Sequence, residues 1–153
     1  MVPLVATGKR DQGPGYFHVF TAATGGGDFF ADDLDRHVLI ERLGRISVRL
    51  GWRVFAYTLL TTHYHVVLQT GGPTLSRGMQ WLNAGHVQLY NQRWGRSGTL
   101  VARRFGYRVI ETEEYLAAAC RYVWLNPVRA GLCSAAVDWA WSGGEWFRRI
   151  ECL

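Results

Sequence analysis

The sequence predicts an α+β fold of the ferredoxin-like type: a split βαβ sandwich with an antiparallel sheet and an additional C-terminal helix. Three observations support this prediction. Apolar residues recur with a period near two in some segments, as in strands, and near 3.6 in others, as in helices. Gly and Pro separate these segments. The segments follow the order strand, helix, strand, strand, helix, strand, helix. We expect residues 1–153 to form a single domain, since no repeat or linker divides them.

The first predicted elements are a strand and a long helix. Residues 16–23 (YFHVFTAA) are aromatic and β-branched and stop at three consecutive glycines, which is typical of a strand and its turn. Asp32 or Asp33 can cap the next segment, in which apolar residues recur at helical spacing until Gly51.

A hairpin and a second helix follow. Residues 53–60 and 64–70 are β-prone runs separated by Thr61 and Thr62, which predicts two antiparallel strands. The helix opens at Thr74 or Ser76 and reaches about Arg93, although Gly85 weakens its middle.

The last predicted elements are a short strand over residues 105–110 and a helix that begins at Glu113. We expect this helix to end near Asn126, because Pro127 disfavours helical dihedrals in the residue before it.

Composition excludes several classes of protein. No apolar run is long enough for a membrane span, and the first residues lack the apolar core of a signal peptide. The three cysteines do not have the spacing of a zinc ribbon or a disulfide framework. We therefore expect a soluble cytoplasmic protein. Residues 53–131 carry nine arginines against three glutamates, a balance that permits a polyanionic partner.

His63 and His65 flank Tyr64 at the head of a predicted strand (THYHVVLQT). Alternate residues of a strand share a face, so the two imidazoles can converge on one cation while Tyr64 points away. An isolated pair of this kind is more often an ordinary pair of strand histidines, because two ligands do not make a metal site. A third ligand is needed.

The segment CRYVWLNPVRAGL contains a second group of polar residues on one helix face. Tyr122 and Asn126 are four residues apart and could offer a phenol nucleophile and an amide ligand together. The alternative is that Tyr122 is a packing residue and that Asn126 is a helix-ending residue ahead of Pro127. Tyr115 lies on the same side of the helix, so spacing alone does not choose between the two tyrosines.

Together these stretches resemble the single-tyrosine HUH transposases, in particular the REP-associated tyrosine transposases of bacteria. The resemblance spans nearly the whole chain, and its most specific part is Tyr-x-x-x-Asn-Pro-Val-Arg-Ala-Gly after the histidine pair. It implies that His63, His65 and Asn126 are metal ligands and that Tyr122, not Tyr115, is the nucleophile. It also implies a ferredoxin-like fold and cleavage of single-stranded DNA through a covalent 5′-phosphotyrosine, followed by strand transfer. Residues 23–26 (ATGG) replace the Asn-Arg-Gly that many members carry after the first strand.

The implied chemistry requires a divalent metal, Mg²⁺ or Mn²⁺, since a phenol with an ordinary pKa of about 10 must attack an already negative phosphate. We expect a single-stranded DNA substrate that forms a hairpin of a palindromic repeat, and an active site built in a monomer or across a homodimer. Arginines could track its phosphates: Arg77, Arg93, Arg103, Arg104, Arg108 and Arg129. The alternative is a nucleic-acid-binding module without catalysis, such as a domesticated transposase remnant, which would form no covalent adduct.

Overall fold

A five-stranded antiparallel sheet organises the structure, a computed structural model that describes residues 13–151. The strands are β1 Gly15–Ala22, β2 Arg53–Leu59, β3 His63–Thr70, β4 Gly106–Ile110 and β5 Ser142–Gly143. The helices are α1 Asp33–Leu50, α2 Leu75–Trp94, α3 Glu113–Arg129 and α4 Glu145–Glu151. The opening segment, predicted not to be a signal peptide, and Cys152 lie outside the described residues.

The strand order β4-β1-β3-β2-β5 confirms the predicted ferredoxin-like topology. The β2–β3 hairpin occupies the centre, where β3 pairs with β1 on one side and β2 on the other. The short β5 adds an edge strand beside β2 that the sequence did not predict. Between residues 13 and 151, no helix combines the length and apolar character needed to cross a bilayer.

The two faces of the sheet bury different sets of side chains. Tyr64, Val66 and Leu68 of β3 belong to a core formed with α1 and α2. Val67, on the alternate face of the same strand, packs in a second core with α3 and α4. Because His63 and His65 share the parity of Val67, both histidines face the layer that contains α3.

The ends of α1 follow the sequence prediction. The Asp32 side chain accepts a hydrogen bond from the Asp35 backbone N–H at 3.0 Å, and Gly51 ends the helix in the left-handed region. The helix α2 continues through Gly85 to Trp94. A Cβ at Gly85 would overlap the guanidinium of Arg42, so the glycine leaves room for this side chain of α1.

The predicted end of α3 near Asn126 is wrong, because the helix continues to Arg129 with Pro127 inside it. Pro127 lies in the last turn, where its missing N–H removes only one helical hydrogen bond. The chain then ends the helix with a Schellman motif: Leu132 N–H donates to the Pro127 carbonyl at 2.9 Å and Gly131 N–H to the Val128 carbonyl at 3.0 Å. Gly131 adopts the positive φ of 74° that this motif requires.

Candidate active site

Tyr64, between the two histidines, points to the opposite face of the sheet and connects β3 with α2. Its side chain is fully buried, and its hydroxyl donates to Asn83 Oδ1 of α2 at 2.6 Å. The Thr21 hydroxyl donates to the Tyr64 oxygen at 3.2 Å, and the Asn83 amide donates back to Thr21 at 3.1 Å. This closed ring of hydrogen bonds holds the Tyr64 side chain on the α2 side of the sheet. Because side chains alternate along a strand, His63 and His65 are both presented to the α3 side.

The imidazoles of His63 and His65 lie with their ring centroids 5.1 Å apart and their planes at 83°. His65 is 3% exposed, and His63 is half-buried. Burial lowers the pKa of His63, and it lowers the pKa of His65 well below the ordinary value of 6.5, with His18 and His63 contributing further. Both rings are therefore neutral at physiological pH, and a neutral ring offers the lone pair that a metal requires.

The Nδ1 atom of each ring is occupied by a protein neighbour. Thr62 Oγ1 lies 2.9 Å from His63 Nδ1, and His18 Nε2 lies 3.0 Å from His65 Nδ1. Neither Nε2 atom forms a hydrogen bond with a described residue. The atoms available for a shared ligand are therefore the two Nε2 nitrogens.

His18 belongs to this group, although the sequence did not predict it as a site residue. It lies on β1, where it pairs with Val67 of β3 and so shares the face of His63 and His65. It is 5% exposed, and burial together with the nearby charge of Arg108 lowers its pKa to about 4. The sequence contains one signal for it, a histidine inside the apolar strand YFHVF. The pairing register of β1 with β3, which brings His18 to His65, cannot be read from the sequence.

Tyr122 of α3 lies over this histidine group. Its ring centroid is 5.7 Å from that of His65 and 5.8 Å from that of His18. The guanidinium of Arg129, an exposed residue at the end of the same helix, lies 5.1 Å from the centroid of the Tyr122 ring. The structure thus brings a phenol, a cation and two imidazoles to one place.

Tyr115 occupies a different environment. Its hydroxyl accepts a long hydrogen bond of 3.4 Å from Arg108, and no ring contact connects it with His63 or His65. The two tyrosines that helical spacing could not separate are thus distinguished by their neighbours, and Tyr122 is the one beside the histidines.

Asn126 follows Tyr122 by one turn of α3 and is 7% exposed. No hydrogen bond connects its amide with His63 or His65. Among residues 13–151, no group of three His, Cys, Asp or Glu side chains is arranged to hold a metal ion. The residues able to hold a divalent cation are the two histidines. The role of the Asn126 amide oxygen as third ligand stays a prediction.

The arginines predicted to bind DNA fall into two groups. Arg108 projects from the sheet face that carries His18, since the two are register partners, and Arg129 lies beside Tyr122. Arg108 Nε is buried without a hydrogen-bond partner, and no carboxylate pairs with this side chain in the described part of the chain. Arg103 and Arg104 are exposed just before β4. These four remain available to an anion.

Arg77 and Arg93 belong to α2, on the other face of the sheet. Arg77 lies with its guanidinium 5.4 Å from the centroid of Trp81. Arg93 donates to both carboxylate oxygens of Asp32 at 2.8 Å and also to Asp35, which ties the end of α2 to the start of α1. We expect Arg93 to act in stability, because its donors are already committed to carboxylates.

Comparison with known proteins finds similarity among solved structures. No model of a protein family matches the sequence, and no curated protein matches it. Among solved structures, the chain is similar to a REP-associated tyrosine transposase bound to a REP hairpin, with a TM-score of 0.72 and 15% sequence identity. The match covers 99% of this chain and 86% of the other. At this level of identity the similarity establishes the shared fold.

Proposed function

We propose that this protein is a metal-dependent endonuclease and strand transferase that cuts single-stranded DNA through a covalent bond to Tyr122. The observation that carries the proposal is the position of the Tyr122 ring, 5.7 Å from His65 in a group that also contains His63. A phenol nucleophile beside two neutral imidazoles is an arrangement that suits phosphoryl transfer. The similar solved structure, a tyrosine transposase, supports this proposal through its fold.

In the proposed reaction, the Tyr122 oxygen attacks a backbone phosphorus and loses its proton. The P–O bond to tyrosine forms, the P–O3′ bond breaks, and the departing 3′ oxygen takes up a proton. The product is a 5′-phosphotyrosine and a free 3′-hydroxyl. Because the ester retains the energy of the phosphodiester bond, a second 3′-hydroxyl can attack it, restore the phenol and join two strands.

The imidazoles of His63 and His65, with the Asn126 amide oxygen, are the proposed ligands of Mg²⁺ or Mn²⁺. Such a mixed nitrogen and oxygen set suits Mn²⁺, and it suits Mg²⁺ where phosphate oxygens complete the coordination. A bound divalent cation would polarise the phosphate and stabilise charge on the leaving oxygen.

The neighbouring arginines would hold the substrate strand. Arg129 lies against the Tyr122 ring. Arg108 lies on the same face of the sheet, and its guanidinium has no carboxylate partner among the described residues. Both would bind phosphates without reading sequence. The similar solved structure is bound to a REP hairpin, so we propose a hairpin of a palindromic repeat as the substrate.

The test is covalent capture of DNA. Purified protein is incubated with Mg²⁺ or Mn²⁺ and a hairpin oligonucleotide carrying a single-stranded flank, labelled on the 3′ side of the cleavage site, and then resolved on a denaturing gel. We expect a labelled protein band for the wild type and for Tyr115→Phe, and none for Tyr122→Phe. An adduct formed by Tyr122→Phe would refute the nucleophile assignment.

The same experiment separates catalysis from binding alone. A protein that only binds DNA would shift the oligonucleotide on a native gel without any divalent metal and would leave no labelled band after denaturation. If the wild type gives that result over a panel of hairpin sequences, the nuclease proposal is refuted. The protein would then be a nucleic-acid-binding module without catalysis.

A further inference from the structure

The hydrogen bond between His18 and His65 has a direction that determines what His65 can bind. Both rings are buried, and their facing atoms, His18 Nε2 and His65 Nδ1, are 3.0 Å apart. A neutral imidazole carries one ring proton and one lone pair. One ring must donate and the other must accept.

The two possible directions have opposite consequences. If His65 donates its Nδ1–H to His18 Nε2, the lone pair of His65 lies on Nε2, which no described residue occupies. If His18 donates instead, His65 carries its proton on Nε2 and has no lone pair there for a cation. An acceptor at Nδ1 of a histidine therefore selects the tautomer whose Nε2 can bind a metal. Carboxylates and carbonyls play this part in known metal sites.

The packing around His18 holds it in this position. Its strand neighbour Phe20 makes an edge contact with its ring at 6.4 Å between centroids, and Tyr122 covers it at 5.8 Å. Phe20 also lies 6.1 Å from the His65 ring, so the same aromatic residue restricts both imidazoles. Among the described residues, His65 is the hydrogen-bond partner that the structure gives to the His18 ring.

We propose that His18 is a positioning residue that accepts a hydrogen bond from His65 Nδ1–H and thereby directs the His65 Nε2 lone pair to a divalent cation. The metal part of this inference rests on the proposed function. Thr62 stands in the corresponding place for His63, since its hydroxyl oxygen lies 2.9 Å from His63 Nδ1 and can accept in the same way. Each proposed ligand thus has its own partner on the nitrogen that faces away from the cation.

The first test reads the tautomer directly, without metal or DNA. Nitrogen-15 chemical shifts and long-range proton correlations of the His65 ring are recorded in the metal-free wild type at neutral pH. We expect protonation at Nδ1 and a free Nε2. A His65 ring protonated at Nε2 would overturn the proposal, whatever the protein does to DNA.

The second test uses a matched pair of substitutions and Mn²⁺ binding measured by calorimetry. A glutamine at position 18 can place its amide oxygen near the position of the imidazole Nε2, whereas the shorter asparagine side chain ends near the position of Nδ1 and does not reach His65. We expect H18Q to bind Mn²⁺ nearly as the wild type does. We expect H18N and H18L to bind it about 10–100-fold more weakly.

Equal Mn²⁺ affinity in H18N, H18L and the wild type would overturn the proposal. Because Tyr122→Phe keeps the proposed ligands, it serves as a control that should bind Mn²⁺ normally and form no adduct. A wild type that binds Mn²⁺ with the expected tautomer but forms no adduct would refute the proposed function and leave the role of His18 standing.

Discussion

The ring of Tyr122 stands nearly perpendicular to that of His65, at 86°, with 5.7 Å between their centroids. These residues come from α3 and β3, which pack together in the second core. Ala119, Cys120 and Val123 of the helix pack against Val67 and its neighbours on the sheet. The distance between the candidate nucleophile and the candidate ligand is therefore set by the second core.

Replacement of His63 by alanine should weaken metal binding while the fold is retained. His63 is half-buried, and its ring is hydrogen-bonded to the neighbouring Thr62, so its removal opens little of the core. We expect the affinity for Mn²⁺, measured by calorimetry, to fall at least about tenfold, with an unchanged circular dichroism spectrum.

His37→Ala is the matched control for this measurement. His37 lies on α1, where its side chain is 59% exposed beside Glu41. If His63→Ala and His37→Ala bind Mn²⁺ with the same affinity as the wild type, the metal site is not at the histidine pair.

Arg108 and Arg129 should contribute to DNA binding more than Arg77 does. The first two lie on the α3 side of the sheet, and Arg77 belongs to α2 on the other side. For Arg108→Gln and Arg129→Gln we expect weaker binding of a fluorescent single-stranded oligonucleotide. We also expect the slope of log affinity against log salt to be smaller by about 0.7 for each phosphate that the variant no longer neutralises. An equally weakened Arg77→Gln would show that the strand is not confined to the α3 face.

Tyr64→Phe should destabilise the protein without changing the metal site directly. The hydroxyl of Tyr64 is buried in a hydrogen-bonded ring with Asn83 and Thr21, and its removal takes a hydrogen-bond partner from each of them. We expect the free energy of unfolding in urea to fall by about 1–3 kcal/mol.

Tyr122→Phe serves as the comparison for stability, because its hydroxyl makes no hydrogen bond with a described residue and the ring is kept. We expect it to unfold at nearly the wild-type urea concentration. Equal stability of Tyr64→Phe and the wild type would mean that the hydrogen-bonded ring does not hold β3 in place.

His86 should make part of the stability depend on pH. It is 3% exposed, stacks on Phe29 at 4.3 Å, and its Nε2–H donates to the Phe29 carbonyl at 2.7 Å. Burial lowers its pKa below the ordinary value of 6.5 despite that hydrogen bond. As pH falls through 6.5, His86 becomes protonated in the unfolded chain but stays neutral in the folded protein. The stability that is present at higher pH is therefore lost.

The measurement is the change in Tm between about pH 7.5 and pH 5.5, a window that spans the ordinary histidine pKa, for the wild type and His86→Gln. Glutamine can keep the hydrogen bond to the Phe29 carbonyl but does not titrate. We expect the Tm of the variant to fall less over this interval than that of the wild type. An equal or larger fall would show that His86 is not among the groups responsible.

The fold was largely predictable because its signals are local. Apolar periodicity, the Asp32 cap and the glycine after α1 set the elements and their order, and the structure confirms them. The end of α3 was not predictable from Pro127, because the Schellman motif formed with Gly131 and Leu132 allows a proline in the last turn. The edge strand β5 also escaped prediction, since two residues carry no periodic pattern.

The amino-acid sequence by itself determined which side chains share a face: the alternation of a strand places His63 with His65, and the helical turn places Tyr122 with Asn126. Only the tertiary structure decided that these two faces meet, that Tyr122 lies beside the histidines while Tyr115 lies beside Arg108, and that His18 of β1 joins them. The reason is that strand register and helix docking are set by the packing of the whole core, and no local pattern encodes them.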